Sequence, residues 1–147
     1  MTNVKYAIGQ ELVEVFEQIL KIEKIYITTQ LDRAISMKEI HTIAAIGKGV
    51  PLMMSELAGQ LHVTMGTLTV MVNNLVKKGY VERYKSEEDR RIVKVGLTKE
   101  GRRVYDAHEL FHEDLVDALV EDFAEGEQAI VSQALKNLQV FIEKYKE

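Results

Sequence analysis

Residues 53–101 read MMSELAGQLHVTMGTLTVMVNNLVKKGYVERYKSEEDRRIVKVGLTKEG, and the periodicity of that stretch decides the fold. Between Met53 and Gln60 the apolar side chains Met54, Leu57 and Ala58 share one face with Leu61 just beyond, the spacing of a short helix. Leu61, His62 and Val63 then lead to Thr64, whose hydroxyl suits a helix N-cap. A second helix is expected from about Met65 to Lys78. It buries Leu68, Met71, Val72 and Leu75 and stops at Gly79, where a left-handed residue ends a helix at little steric cost. Gly66, Thr67, Thr69, Val70, Asn73 and Asn74 remain on its outer face. Beyond Gly79 the period falls from 3.6 to 2: Tyr80, Val81, Arg83 and Tyr84, a polar knot from Lys85 to Arg91, then Ile92 to Leu97. A short helix, a tight turn, a second helix opening on small polar residues and a charged hairpin together make a winged helix-turn-helix.

Outward from this stretch the chain is helical, interrupted by one proline, Pro51, and nine glycines. Leu12, Val15, Phe16, Ile19, Ile22 and Tyr26 recur at three and four residues, predicting a long amphipathic helix from about Gln10 to Leu31. Ser36 followed by Glu39 is a capping-box start for a shorter helix through Met37, Ile40, Ile43 and Ile46, ending at Gly47. Thr98 recaps the chain for a helix to about Asp122, with Val104, His108, Phe111, Leu115, Ala118 and Leu119 inward. A last helix from about Gly126 to Lys144 presents Ile130, Val131, Leu135, Leu138, Phe141 and Ile142. The expected class is mainly α with a small β-hairpin, a winged helix-turn-helix carrying long dimerisation helices. Residues 36–99 form the DNA-binding region, and 1–35 with 100–147 the helical dimerisation region.

Charge is unevenly spread over these parts. The net value of −4 divides into −1 for residues 1–63, +5 for 64–103 and −8 for 104–147. An anionic partner is therefore expected to meet the central segment alone. No run of 18 apolar residues occurs, Met1 to Gln10 lacks the basic and apolar regions of a secretory signal, and cysteine is absent. A cytoplasmic protein is expected, without disulfides or thiolate metal sites. No nucleophile, base and oxyanion donors come together in a motif, and no glycine-rich phosphate loop occurs, so an enzyme is not expected. The acidic run Glu109, Glu113, Asp114, Asp117, Glu121 and Asp122 reads as the solvated side of a helix.

The partner that fits a winged helix is duplex DNA. Thr64, Gly66, Thr67 and Thr69 open the second helix with short or absent side chains, allowing close approach to base edges and phosphates in a major groove, and Asn73 continues that face. At the hairpin tip Arg90 and Arg91 suit a minor groove, where the potential is most negative, and Asp89 holds the guanidinium in place. A protein-only interaction module would keep the helices but need no basic hairpin.

These residues resemble a known family. Ser55-Glu56-Leu57-Ala58, Val63-Thr64, the run from Leu75 to Arg83 (LVKKGYVER), Asp89-Arg90-Arg91 and Leu97-Thr98-Lys99-Glu100-Gly101 are similar to the MarR family of dimeric transcriptional regulators, in which a D-x-R wing precedes L-T-x-x-G. The resemblance extends over nearly the whole chain. It departs at Met65 and Gly66, where a serine is more usual. Residues 38–43, 46–48, 66–67, 73–75 and 86–91 are most similar to the repressors of fatty-acid synthesis found in Gram-positive cocci. The resemblance implies a homodimer, a pseudo-palindromic operator and long-chain acyl-acyl carrier protein as corepressor. For the acyl chain, the residues available to line an apolar slot are those on the first, second and fifth helices near the dimer seam, Ile22, Tyr26, Met37, Ile40, Ile43 and Phe111, with Lys21, Lys24, Arg33 and Lys38 as the basic residues nearby. Another small ligand, or zinc, is the alternative effector. No cofactor or resident metal is expected; His108 and His112, four apart on one helix, are the candidate pair if an ion binds. His41 is read as a buried, hydrogen-bonded packing residue, with a place in a ligand site as the alternative, and His62 as a turn residue.

Overall fold

The structure, a computed structural model, describes residues 2–146. Along the chain run α1 (Asn3–Gln30), α2 (Met37–Ile46), β1 (Leu52–Met53), α3 (Met54–Leu61), α4 (Met65–Lys77), β2 (Val81–Lys85), β3 (Val93–Leu97), α5 (Lys99–Val120) and α6 (Glu125–Glu143). The winged helix-turn-helix class expected from the sequence is the fold observed. The chain divides into two compact units, Met1–Phe111 and His112–Glu147. Among the described residues no helix is long and apolar enough to cross a membrane.

Helix starts follow their caps. Ser36 accepts from the Glu39 amide at 3.1 Å while the Glu39 carboxylate accepts from the Ser36 amide at 3.4 Å, completing the capping box that opens α2. Lys78 donates to both Glu39 oxygens at 2.8 Å, joining the end of α4 to the start of α2. Burial opposes ionisation of Glu39, but the hydrogen bonds from Lys78 and Ser36 outweigh it and lower its pKa. A lowered folded pKa means that this contribution to stability is complete above the ordinary glutamate range and is lost as pH falls through the folded value. The α1 helix starts at Asn3 rather than near Gln10, because Thr2 accepts from the Lys5 amide at 3.3 Å and caps it. The apolar periodicity that begins at Leu12 gives no sign of this cap.

The sheet has three strands in the order β1-β3-β2, all antiparallel, where two were expected. The additional strand, β1, is two residues long, too short to show alternation, and places Leu52 opposite Val95. Pro51 precedes it on the sheet edge, where a missing amide donor costs no ladder bond. In the first unit Ile27, Ile40, Ile43, Leu57, Leu68, Val72, Leu75, Tyr80, Val81, Val95 and Val104 are 0–2% exposed and form the core. Each aliphatic member contributes about 1.5–3 kcal/mol by its burial.

The wing is fastened to α5 at a tight corner. Thr98 donates from its hydroxyl to the Gly79 carbonyl at 2.5 Å and from its amide to the Tyr80 carbonyl at 3.1 Å, and it accepts from the Gly101 amide at 3.1 Å. A methyl group on Gly101 would lie 2.0 Å from the Tyr80 carbonyl oxygen. Gly101→Ala is therefore expected to destabilise the fold by roughly 1–3 kcal/mol, read as a lower urea midpoint. An unchanged midpoint would show that this corner is not close-packed.

Among the described residues, apolar side chains on three helices are exposed. On α1 Leu12, Val15, Phe16 and Ile22 are 40–58% exposed, and only Glu23 and Ile27 are buried. The inner face expected along α5 holds as far as Phe111; beyond it Leu115 is half-buried while Ala118 and Leu119 are exposed. No described residue of α6 is buried, and Ile130, Leu135, Phe141 and Ile142 all lie open.

Candidate nucleic-acid interface

The turn between α3 and α4 is set by His62, which adopts a left-handed conformation with φ of 54° at the C-cap of α3, the turn role expected of it. The Val63 amide donates to the Ala58 carbonyl at 3.1 Å and brings Thr64 to the start of α4. Thr64 accepts from the Thr67 amide at 3.2 Å and donates to the Thr67 hydroxyl at 3.1 Å. The two hydroxyls therefore sit side by side at a helix N-terminus, where free amides and the helix dipole favour an anion such as a phosphate. Thr69 donates to the Met65 carbonyl at 2.8 Å. A methyl group on Gly66 would meet only the Thr64 hydroxyl, at 4.0 Å, so internal packing does not require glycine there. Thr64, Gly66, Thr67, Thr69 and Asn73 all lie on the exposed face of α4, while Leu68, Val72 and Leu75 hold the opposite face in the core.

Asn73 has a neighbour that the sequence did not indicate. Its side-chain carbonyl accepts from the Arg83 guanidinium, tying α4 to the wing strand β2. Ten residues separate the two, and no local periodicity signals a bond across that distance.

The wing tip is folded on its own hydrogen bonds. The Ser86 amide donates to the Ile92 carbonyl and the Ile92 amide to the Asp89 carbonyl, both at 3.0 Å. Asp89 accepts from Nε and Nη2 of Arg91, each at 3.1 Å, and from the Arg91 amide at 3.1 Å. Those bonds from Arg91 hold the Asp89 carboxyl below its usual pKa. The arginine oriented by Asp89 is thus Arg91, whose side chain is 91% exposed; Arg90 is exposed beside it. A paired guanidinium that keeps most of its surface in solvent can enter a groove without first being ordered.

The six residues expected to line an apolar slot divide by burial. Tyr26 and Phe111 pack with ring centroids 5.3 Å apart. Ile40 and Ile43 are fully buried core residues, Met37 is half-buried, and Ile22 is exposed. A groove of about 530 Å³ opens elsewhere, between α2 and α4, lined among others by Lys38, Thr42, Thr67, Val70, Met71 and Lys78. None of the six lines it.

The histidines are arranged differently from the i, i+4 pair on α5. His108 from α5 and His41 from α2 both reach the carboxylate of Glu23 on α1, at 3.2 and 3.1 Å, while His112 is exposed. Sequence reasoning passed over Glu23. The available signal is its place between Ile19 and Ile27, four residues from each, on the apolar side of α1.

Comparison with known proteins gives a consistent result. The profile of the MarR family matches residues 35–93, the helix-turn-helix and most of the wing. The chain is similar to Streptococcus pneumoniae FabT in its structure in complex with DNA, with 39% identity, coverage of 97% of this chain and 99% of that one, and a TM-score of 0.82. A mutant of Escherichia coli MarR complexed with operator DNA shares 28% identity over 92% of this chain and 96% of its own, with a TM-score of 0.63. The HTH-type transcriptional regulator PchR of Bacillus subtilis is 27% identical over 74% of this chain, a match spanning 66% of that protein's length.

Proposed function

The chain belongs to the MarR family of transcriptional regulators, and from that premise we propose that it is a homodimeric operator-binding repressor of fatty-acid synthesis genes, with long-chain acyl-acyl carrier protein as its corepressor. The observation that carries the reading is the 39% identity to Streptococcus pneumoniae FabT over 97% of this chain. It is joined by the motifs at 38–43, 46–48, 66–67, 73–75 and 86–91, similar to those of the fatty-acid-synthesis repressors. In this reading Thr64, Gly66, Thr67, Thr69 and Asn73 meet the major groove, and Arg90 with the Asp89-held Arg91 meets the minor groove. Residues 36–99 form the DNA-binding region. Residues 1–35 and 100–147 form the dimerisation region, supported by the uncovered apolar faces of α1 and α6, since exposed patches of that size mark interfaces. Residues 1 and 147 themselves lie outside the described residues.

The acyl chain enters past Ile22, Tyr26 and Met37 toward Ile40, Ile43 and Phe111, where the unbranched, adaptable Met37 side chain suits a flexible hydrocarbon. Because Ile40 and Ile43 are fully buried, entry requires the core to part, so the ligand prefers one arrangement of the dimer and can shift its population. Lys21, Lys24, Arg33 and Lys38 would face the acidic carrier. Carrier protein loaded with a long acyl chain is expected to tighten operator binding by about 5- to 150-fold, the ordinary range of allosteric coupling, measured by fluorescence anisotropy. Equal affinity with loaded and unloaded carrier would overturn the corepressor assignment while leaving operator binding itself intact.

A further inference from the structure

Four exposed residues, Gly66, Val70, Asn73 and Lys77, follow one another at spacings of three and four along α4, on the side opposite the buried Leu68, Val72 and Leu75. A glycine, an amide and an ammonium are ordinary on such a line. Val70 is the unusual member. Although it lines the groove between α2 and α4, it stays 60% exposed. A β-branched residue at an exposed helix position lowers helix stability relative to alanine, and little packing offsets that here. One exposed valine on a surface needs no explanation by itself; what sets this one apart is the pair of residues one turn to either side.

One turn before it, Gly66 presents no side chain. A helical side chain leans over the turn N-terminal to its own Cα, so the isopropyl group of Val70 covers open backbone at Gly66, where a methyl group would find only the Thr64 hydroxyl, at 4.0 Å. A base edge can reach Val70 there without meeting a bulky neighbour. One turn beyond, the Asn73 amide has a settled orientation. Its carbonyl oxygen accepts from Nη2 of Arg83. A guanidinium has donors only, so the oxygen and not the nitrogen faces it, and the NH2 group is turned away from Arg83. Asparagine reads adenine with both amide atoms at once, the oxygen accepting from N6 and the nitrogen donating to N7. An oxygen committed to Arg83 withdraws that geometry. What α4 offers here is an amide donor beside an apolar surface, and thymine alone among the bases carries an acceptor, O4, next to a methyl group on its major-groove edge.

We propose that Val70 and Asn73 read one thymine in each half-site, Val70 packing on its 5-methyl group and Asn73 donating to its O4, with Arg83 as the residue that positions the amide. The proposal rests on the operator-binding reading above and adds the base that this part of α4 selects.

Deoxyuridine keeps the pairing and the O4 of thymidine and lacks only the methyl group. Duplexes are selected from a random library on the full chain, and the enriched sequence is synthesised with uracil in place of each thymine in turn, symmetrically in both half-sites, and titrated by fluorescence anisotropy. At one position the parent is expected to lose about fifteenfold in affinity, from about fourfold for one buried methyl group in each half-site. Val70→Ala should bind the thymine duplex less tightly than the parent and bind the thymine and uracil duplexes equally. Arg83→Ala is expected to reduce the preference for thymine over adenine at that position by about fivefold or more, because the freed amide can take the adenine geometry. Arg83→Lys, which still donates to Asn73, should retain the preference, and circular dichroism reports that each variant is folded. Uracil tolerated by the parent at every position, or a uracil penalty undiminished in Val70→Ala, would overturn the thymine assignment, and an unaltered preference in Arg83→Ala would overturn the role of Arg83. A parent that enriches no sequence at all would refute operator binding itself, and this assignment with it, a result distinct from an enriched sequence that is indifferent to uracil.

Discussion

Leu135→Asp combined with Ile142→Asp is expected to leave the chain folded but monomeric and to reduce operator affinity by about a thousandfold or more. Both residues lie on α6, seven apart and therefore on one face, and they are 51% and 46% exposed within the chain. A charge at either position thus costs the isolated chain little. In a dimer the same positions become buried, and a carboxylate there has to be desolvated without a partner. Losing the dimer also removes the second DNA-reading unit, whose effective concentration at the neighbouring half-site multiplies affinity by 10²–10⁴ or so. Light scattering would report the mass and anisotropy the affinity. A variant that stays dimeric at micromolar concentration and binds as before would exclude α6 from the interface.

The second large effect belongs to the wing. Arg90→Ala with Arg91→Ala is expected to weaken operator binding by about a hundredfold and to reduce the dependence of log affinity on log salt, by about one for each phosphate no longer neutralised. Arg91 is already oriented by Asp89 through two side-chain bonds of 3.1 Å, so the protein has met part of the ordering cost before DNA arrives. Asp89→Ala should accordingly cost less than the double change, since it frees the guanidinium without removing it. The pH dependence has a definite sign. With the Asp89 pKa held down by Arg91, the pair persists above the ordinary aspartate range and is lost only as pH falls through the lowered value. Operator binding by the wing should therefore not change on this account between neutral and mildly acidic pH. Unaltered affinity in the double arginine variant would remove the wing from the interface.

What could be read without coordinates is what local sequence encodes. The recognition helix and wing announce themselves by a change of period at Gly79, by the Thr64 cap and by a hairpin whose charged residues gather at one end. Ser36 and Glu39 mark their helix start because both halves of the capping box lie within four residues. The strand Leu52–Met53 escapes notice because two residues carry no alternation, and its pairing with Val95 and Lys94 depends on chain more than forty residues away. The bond between Arg83 and Asn73 and the meeting of Glu23 with His41 and His108 are tertiary in the same sense: helix packing, not spacing, creates them. The apolar stripe of α1 was legible as a stripe. Within one chain, however, Leu12, Val15, Phe16 and Ile22 lie open, and a stripe reads the same whether it faces its own core or a second copy.

A single binding selection tests whether this chain reads operator DNA as a symmetric dimer through α4 and the wing. Sheared genomic DNA from the encoding organism is incubated with the purified full chain and competitor DNA, and the retained fragments are sequenced. The expected result is an enriched pseudo-palindrome with half-sites about one helical turn, roughly 10 base pairs, apart, lying upstream of fatty-acid synthesis genes and absent from the pool retained by the double arginine variant. Retention without any enriched motif, or a motif lacking two-fold symmetry, would contradict it.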